Sequence, residues 1–179
     1  MKFLKYSILL LCISLLSCER DDICSEDTPT TPRLIVEFRD ILDADMLKSV
    51  PNLTLFGEGL DEATRSIVNN TNTNTVSLPL LVGTEGVETT TRFIMRRDAD
   101  LDLDSDPTTN SNEDILEITY IPEFVYVSRA CGFKSVFNNL RVSIVPDGDN
   151  WALLTDFPNS NTDNINVENE TATHLHILH

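Results

Sequence analysis

The chain has 179 residues, of which 41% are hydrophobic, and its 29 acidic against 13 basic residues give a net charge of −16. This balance excludes a nucleic-acid-binding protein, because phosphates would be repelled, and it favours basic or cationic partners. The hydrophobic content is enough for a packed core. The length therefore predicts one domain, with disorder confined to short segments.

Residues 1–17 have the pattern of a secretory signal peptide. Lys2 and Lys5 form a basic start, and an almost continuous apolar run follows from Ser7 to Leu16. The run is about ten residues long, whereas a membrane-spanning helix needs about 20. We therefore expect this segment to direct export and to be removed, which takes the net charge from −16 to −18.

The apolar run ends with the sequence Leu15-Leu16-Ser17-Cys18. This sequence resembles the lipobox of bacterial lipoproteins, in which the cysteine becomes the mature N-terminus and carries acyl chains. The resemblance implies lipidation at Cys18 and a membrane anchor, which is stable with two chains because each buried methylene contributes about 0.8 kcal/mol. The alternative is an ordinary signal peptide followed by a chance cysteine.

The next four residues, Glu19-Arg20-Asp21-Asp22, place a basic residue among acids. They resemble the surface-export signal of Bacteroidota lipoproteins, although the usual basic residue there is lysine. The resemblance implies an outer-membrane protein that faces the cell surface. The alternative is a solvated acidic linker on a protein that faces the periplasm. In both cases residues 18–32 are the lipidated cysteine and a flexible acidic, proline-rich tether.

Two cysteines remain once Cys12 leaves with the signal and Cys18 takes the lipid. Cys24 and Cys131 form an even pair in an oxidising compartment, so we expect a disulfide between them. Closing a loop of about 100 residues stabilises the fold by up to about 4.7 kcal/mol in the chain-entropy model. A redox or metal role is less favoured, because no histidine lies near either cysteine in the sequence.

Short β-type patterns and turn signals alternate along the mature chain. Residues 69–75 are entirely polar and predict a loop, and residues 40–51 are ambiguous, with a short helical turn as one interpretation. Alternating or dense apolar residues predict strands at 33–39, 53–56, 76–82, 89–96, 115–121, 123–130, 140–144 and 173–178. The alternation places Leu34, Val36 and Phe38 on one side of the first of these strands, and Leu116, Ile118 and Tyr120 on one side of the strand at 115–121.

The excess of strands over helices, with a turn signal roughly every ten to fifteen residues, predicts that residues 33–179 form one antiparallel β-sandwich. Immunoglobulin-like topology is the leading hypothesis for this all-β fold. The hallmark tryptophan between paired cysteines is missing, however, because Trp151 lies beyond Cys131.

Three motifs can be compared with known families: Cys-Ser-Glu-Asp-Thr-Pro-Thr-Thr-Pro-Arg-Leu-Ile at 24–35, Val-Ser-Arg-Ala-Cys-Gly-Phe-Lys at 127–134 and Glu-Thr-Ala-Thr-His-Leu at 170–175. Together they resemble a family of small uncharacterised Bacteroidota lipoproteins that carries a domain of unknown function. The first two motifs contain the paired cysteines, which fits the expected disulfide. The resemblance implies a cellular address and supplies no catalytic residues.

The sequence contains no Gly-x-Ser-x-Gly elbow, no His-Glu-x-x-His, no phosphate loop and no dinucleotide fingerprint. On a terminal strand His174 and His176 would share the outward face, a spacing that can hold a metal, or they are a chance pattern on a surface strand. Arg129 is a candidate for binding a ligand carboxylate, and the alternative is a pair with an internal acid or a strand-end carbonyl.

The acidic stretch 98–113 is a candidate calcium loop. Its oxygen-bearing side chains match an EF-hand-like spacing, but Pro107 stands where glycine makes the sharp turn and the flanks read as strands. The alternative, which we favour, is a solvated acidic hairpin loop. The ligands at the first, third, fifth, ninth and twelfth positions would be Asp102, Asp104, Asp106, Asn110 and Glu113.

Two classes of function are open. The first is a non-enzymatic binding or accessory module of the cell envelope, held at the membrane by its lipid and working through an envelope protein partner. The second is an envelope hydrolase that acts on glycans through paired carboxylates. A cleft with two inward-facing carboxylates would favour the enzyme, whereas flat faces with an uncovered edge strand would favour the binding module.

Overall fold

The computed structural model describes residues 23–25, 28, 30–103, 110–158 and 165–179. Cys18, Asp104 and Asp106 lie outside this part of the chain, as does the side chain of Asp102. The described residues form ten strands, β1 (Leu34–Asp40), β2 (Asp43–Leu47), β3 (Val50–Gly57), β4 (Val68–Thr73), β5 (Thr75–Leu78), β6 (Thr89–Arg97), β7 (Asn112–Ser128), β8 (Gly132–Ile144), β9 (Leu154–Asp156) and β10 (Leu175–Leu178).

The strands form two five-stranded sheets, which confirms the predicted all-β sandwich. The first sheet has the order β2-β1-β10-β9, with β5 also paired to β1, and the second has the order β4-β3-β6-β7-β8. The only helical elements in the described chain are the four-residue helix α1 (Glu62–Arg65) and a 3₁₀ turn at Ala99–Leu103. No helix in these ranges is long and apolar enough to span a membrane.

Strand β10 lies parallel to β1, with Val36 opposite Leu175 and Arg39 opposite Leu178. The expectation of a purely antiparallel sandwich is therefore wrong at this pair, because the last strand enters the sheet beside the first one in the same direction. The immunoglobulin hypothesis is also not met. An immunoglobulin domain places its first strand at a sheet edge, whereas β1 has neighbours on both sides.

The core lies between the two sheets and is built from the alternate residues of facing strands. On β1 the predicted inward residues Leu34, Val36 and Phe38 are fully buried. The Trp151 side chain closes one region of this core, with its ring centroid 6.1 Å from that of Phe38 and its Nε1 donating to the Met95 carbonyl at 3.3 Å. Alternation along β1 therefore predicted the buried face correctly.

Two stretches for which we did not predict strands form strands in the structure. The polar stretch 69–75, expected to be a loop, contributes most of β4, which pairs with β3 at the edge of the second sheet. The mostly exposed, polar side chains suit a strand at the solvent-facing edge of a sheet. The ambiguous residues 40–51 contain β2, a wholly exposed strand, in place of a helical turn.

The two strands predicted at 115–121 and 123–130 form one continuous strand, β7, which passes through Pro122. The proline is tolerated because the pairing of β6 with β7 ends at Thr89 and Tyr120. The backbone of Pro122 faces the side on which β6 no longer pairs with β7. On that side its carbonyl accepts the N–H of Gly86 at 2.9 Å, so the missing N–H of the proline costs no hydrogen bond between strands.

Candidate functional site

Strands β7 and β8 continue as a two-stranded ribbon beyond the rest of the second sheet. Their pairing runs on to Ser128 and Gly132, and we call residues 121–138 the ribbon. The register shifts where the ribbon begins, close to Asn139, whose φ is 56°. At the other end Gly132 has a φ of 70°, which a residue without Cβ adopts at no steric cost and which allows the tight turn.

The predicted disulfide between Cys24 and Cys131 is present at the end of the ribbon, with a sulfur–sulfur distance of 2.03 Å. It fastens the segment that precedes β1 to the hairpin turn, 107 residues further along the chain. The same segment is bound a second time, because the Ser135 N–H donates to Thr31 Oγ1 at 2.9 Å. The chain therefore enters the domain at the end of the ribbon.

The end of the ribbon presents a cluster of exposed apolar side chains, Ile23, Phe124, Tyr126 and Phe133, which we call the aromatic tip. Tyr126 and Phe133 are cross-strand partners with ring centroids 5.5 Å apart, and they are 57% and 67% exposed. Ile23 and Tyr126 share the wall of a hollow of about 420 Å³ with Arg129, the sequence candidate for a carboxylate ligand. This apolar surface is open to solvent.

A second feature is an apolar cleft of about 580 Å³, whose lining comes from residues within 57–67, 79–81 and 90–93, near the start of the ribbon. Leu80 and Phe93 in its wall are buried, whereas Leu60 and Leu81 are 53% and 59% exposed. The volume lies within the range of about 300–1,000 Å³ that is typical of small-molecule sites. The apolar lining residues are Leu60, Ile67, Pro79, Leu80, Leu81 and Phe93.

A hydrogen-bonded network holds one wall of the cleft in place. The Leu81 N–H donates to Thr91 Oγ1 at 3.1 Å, and the Tyr120 hydroxyl donates to the Leu81 carbonyl at 2.8 Å. The Thr91 and Tyr120 hydroxyls also lie 2.5 Å apart in the buried interior. Burial raises the pKa of Tyr120, so its hydroxyl keeps the proton that it donates.

The charged groups at the cleft differ in whether they are paired. The Arg92 guanidinium lies 2.7 Å from Glu58 and 3.3 Å from Glu117, so its charge is balanced. Glu58 is the one carboxylate among the residues that line the cleft. Arg65, at the end of α1, forms no ion pair within the described chain. Arg65 is therefore the cation available to an anionic group in the cleft.

The calcium loop is only partly described. Asn110 is exposed, and the Glu113 carboxylate accepts a hydrogen bond from Arg96 Nε at 2.7 Å. Arg96 also binds both oxygens of Glu62, at 2.8 and 2.9 Å. No group of three or more metal-binding side chains occurs in the described ranges, and the calcium site stays a prediction. Glu113 would have to exchange Arg96 for the metal.

The terminal histidines are built into the first sheet. The Ile35 N–H donates to His174 Nδ1 at 2.9 Å, which fixes the neighbouring strands β1 and β10. His176 is 8% exposed and lies 3.6 Å from Glu37 and 3.8 Å from Asp156. Burial lowers the pKa of His174, His176 and His179. These contacts indicate a structural role for the His-x-His pattern.

Asp114 is a buried carboxylate that the sequence analysis missed. It is fully buried, and its Oδ2 accepts the Ala152 N–H at 2.7 Å. Its Oδ1 accepts the Trp151 N–H at 3.4 Å. Burial raises the pKa of Asp114, against the effect of these hydrogen bonds. The sequence did carry one sign that Asp114 is buried. It lies two residues before Leu116, and so the two share the inward face of β7.

The fold and these features define a β-sandwich with an apolar cleft and a disulfide-fastened ribbon. Residues 52–179 match the family of unknown function DUF6452, which spans most of the chain, and the protein belongs to this family. The expected resemblance to a domain of unknown function is thereby confirmed. No curated protein and no solved structure matches the chain. The match begins within β3 and leaves out Cys24.

Proposed function

We propose that the protein is a non-enzymatic binding module of the cell envelope, anchored by a lipid on Cys18, and that it binds its ligand in the apolar cleft. The cleft is the observation that carries this proposal. Its concave wall contains leucines that are open to solvent, and a bound ligand would cover this apolar surface. Arg65, which forms no ion pair with another described residue, would favour a negative charge at the cleft. The ligand is a small, largely apolar molecule with one anionic group.

The envelope location is supported by the disulfide between Cys24 and Cys131, since such bonds persist in oxidising compartments. The lipobox-like sequence before Cys18 supports an outer-membrane lipoprotein of the Bacteroidota type, which faces the cell surface or the periplasm. The edge strand β4 offers a site where an envelope protein partner can add a strand.

The hydrolase alternative lacks a supporting observation. Within the cleft lining, Glu58 is paired with Arg92, and the lining contains no second carboxylate. Asp114 has a raised pKa, but it is fully buried and occupied by two backbone N–H groups. Paired carboxylates acting on a glycan need access to the substrate. We therefore advance binding alone.

Two fluorescent probes test the cleft. Anionic 1-anilinonaphthalene-8-sulfonate and neutral N-phenyl-1-naphthylamine should both bind the protein, and Leu81→Glu should weaken both by about tenfold, or about 1.4 kcal/mol. Leu42→Glu is the matched control, because Leu42 is 93% exposed and lies outside the cleft. Arg65→Gln should weaken only the anionic probe. Equal binding by wild type and Leu81→Glu would show that the cleft is not the site.

The anchor is tested separately by metabolic labelling with an alkyne fatty acid. Wild type should be labelled and stay with the outer membrane, whereas Cys18→Ala should lose the label and leave the membrane fraction. Cys24→Ala is the control, because it removes a cysteine and leaves the lipobox intact. An unlabelled wild-type protein, or unchanged membrane retention of Cys18→Ala, would rule out the lipid anchor.

A further inference from the structure

We propose that the aromatic tip lies in the headgroup region of the membrane and holds the cleft above the lipid surface. The inference rests on the lipid anchor at Cys18 that is part of the proposed function. It assigns a role to the ribbon, the disulfide and the exposed aromatic residues, which ligand binding in the cleft leaves unexplained.

The tether between the lipidated cysteine and the disulfide is short. Cys24 follows Cys18 by six residues, which span at most about 22 Å when fully extended. Because Cys24 is bonded to Cys131 with their Cα atoms 4.9 Å apart, the lipidated residue stays within about 27 Å of the hairpin turn. Without the disulfide, the tether would run freely to Thr31, which is bound by Ser135, and could reach about 47 Å. The disulfide therefore keeps the tip close to the lipid.

The chemistry of the tip also suits a lipid contact. Residues 124–137 contain Arg129 and Lys134 and no acidic residue, in a chain with 29 acids. Phe133 is 67% exposed and Tyr126 is 57% exposed. Rings with an apolar body and a polar end are favoured at the membrane interface, where they sit at the level of the headgroups. A contact with lipid therefore explains why the aromatic tip, at the anchored end of the domain, leaves apolar surface open to solvent.

The charge of the tether determines which lipids suit this contact. The tether residues 19–27 are mostly acidic, so anionic headgroups would repel them. The contact is therefore carried by the aromatic side chains and is expected on zwitterionic lipid. It should weaken as the anionic lipid content rises.

The consequence is a fixed height for the cleft. Tyr120 supports the cleft through Thr91 and Leu81, and Ser128 ends β7 at the tip. The eight residue steps from Tyr120 to Ser128 span about 26 Å of strand at about 3.3 Å per residue. A ribbon standing on the membrane would place the cleft beyond the headgroups, where a ligand from the aqueous side can enter.

A tryptophan reporter on anchored protein tests the contact. The chain from Cys18 onward retains every described residue, and the Cys18 thiol is the one cysteine outside the disulfide in that chain. It can be coupled to maleimide lipid in phosphatidylcholine vesicles, and brominated phosphatidylcholine then quenches tryptophans that touch the bilayer. Trp151 is 4% exposed and supplies a constant background. Phe133→Trp reports on the tip, and Leu42→Trp, at a 93% exposed position in the turn between β1 and β2, is the matched control.

We expect roughly threefold more quenching in Phe133→Trp than in Leu42→Trp, because tryptophan at the tip would sit among the headgroups. Adding Cys24→Ser and Cys131→Ser to the Phe133→Trp chain should reduce its quenching, since the tether lengthens. Equal quenching of the two reporters would overturn the inference. Because the coupling is chemical, that result would leave lipidation in cells untouched, whereas a missing fatty-acid label at Cys18 would refute the anchor itself.

Discussion

Strand β7 divides at Tyr120 into two halves that are held by different means. The first half, 112–120, lies between β6 and β8, and its inward residues Leu116, Ile118 and Tyr120 are fully buried. The second half, 121–128, pairs with β8 alone, and its Tyr126 is 57% exposed. The first half is stabilised by apolar burial, and the second is stabilised by pairing and by the disulfide beside its end.

The difference shows that the neighbours of a strand decide what its side chains do. Both halves carry apolar residues in a strand-like pattern, but only the first half contributes side chains to the hydrophobic core. The covered half supports the cleft through Tyr120, and the uncovered half carries the aromatic tip. In our proposals the first region supports the ligand-binding cleft and the second contacts the membrane.

The largest expected effect comes from truncating the buried half. Leu116→Ala should lower the free energy of unfolding by about 2–5 kcal/mol, because it removes buried methyl groups and leaves a cavity. Tyr126→Ala, in the exposed half, should change it by no more than about 0.5 kcal/mol. Urea denaturation of the two variants measures both values. Similar losses would mean that the two halves are packed alike.

The second prediction removes the disulfide. Cys24→Ser combined with Cys131→Ser should cost about 2–4 kcal/mol, because the unfolded chain regains the freedom of a long loop. Wild type treated with a phosphine reductant should show the same denaturation midpoint as the double variant. An unchanged midpoint after complete reduction would show that the cross-link contributes nothing to stability.

The third prediction compares one substitution in the two halves. Tyr120→Phe should cost about 1–2 kcal/mol, because the hydroxyl bonds Thr91 and the Leu81 carbonyl in the interior. It should also weaken probe binding in the cleft, since Leu81 loses its support. Tyr126→Phe removes an exposed hydroxyl and should be neutral in thermal unfolding and in probe binding. If Tyr120→Phe changed neither thermal unfolding nor probe binding, the hydrogen-bonded network would not stabilise the wall of the cleft.

The smallest expected effect is a pH dependence of the sandwich. Burial lowers the pKa of His174 in the folded state, so between this pKa and the unfolded value of about 6.5 the unfolded chain binds more protons. Stability should therefore fall as the pH falls through this window, by at most about 0.7 kcal/mol per histidine between about pH 7 and pH 6.

His174→Asn is the variant that checks this effect. Its side-chain oxygen can still accept the Ile35 N–H, and it cannot titrate, so the dependence on pH should become shallower in urea denaturation. The ribbon contains no histidine and should not contribute. A steeper dependence in His174→Asn than in wild type would contradict the sign of the shift.

The sequence predicted the elements whose signal is local. Alternation identified the inward residues of β1 and of the first half of β7, and cysteine counting identified the disulfide. Strand β4 was missed because its polar residues have no apolar period, and pairing with β3 alone makes them a strand. The parallel contact of β1 with β10 joins the two ends of the domain, which no local pattern encodes.

The cleft could not be predicted for a similar reason. Its walls come from the end of β3, the segment after β5 and the start of β6, which meet only when the sheets pack. Leu60 and Leu81 look like ordinary exposed residues in the sequence until the fold brings them together. The calcium spacing shows the converse case, since a local pattern exists there and Glu113 is already engaged by Arg96.

Hydrogen exchange of β7 before and after reduction of the disulfide tests the two-region account most directly. In the oxidised protein, amides in both halves should be protected by their strand pairing. After reduction, residues 112–120 should keep their protection, whereas residues 121–128 should exchange faster because the ribbon loses its fastening. Equal loss of protection in both halves, or no change in the ribbon, would contradict the account.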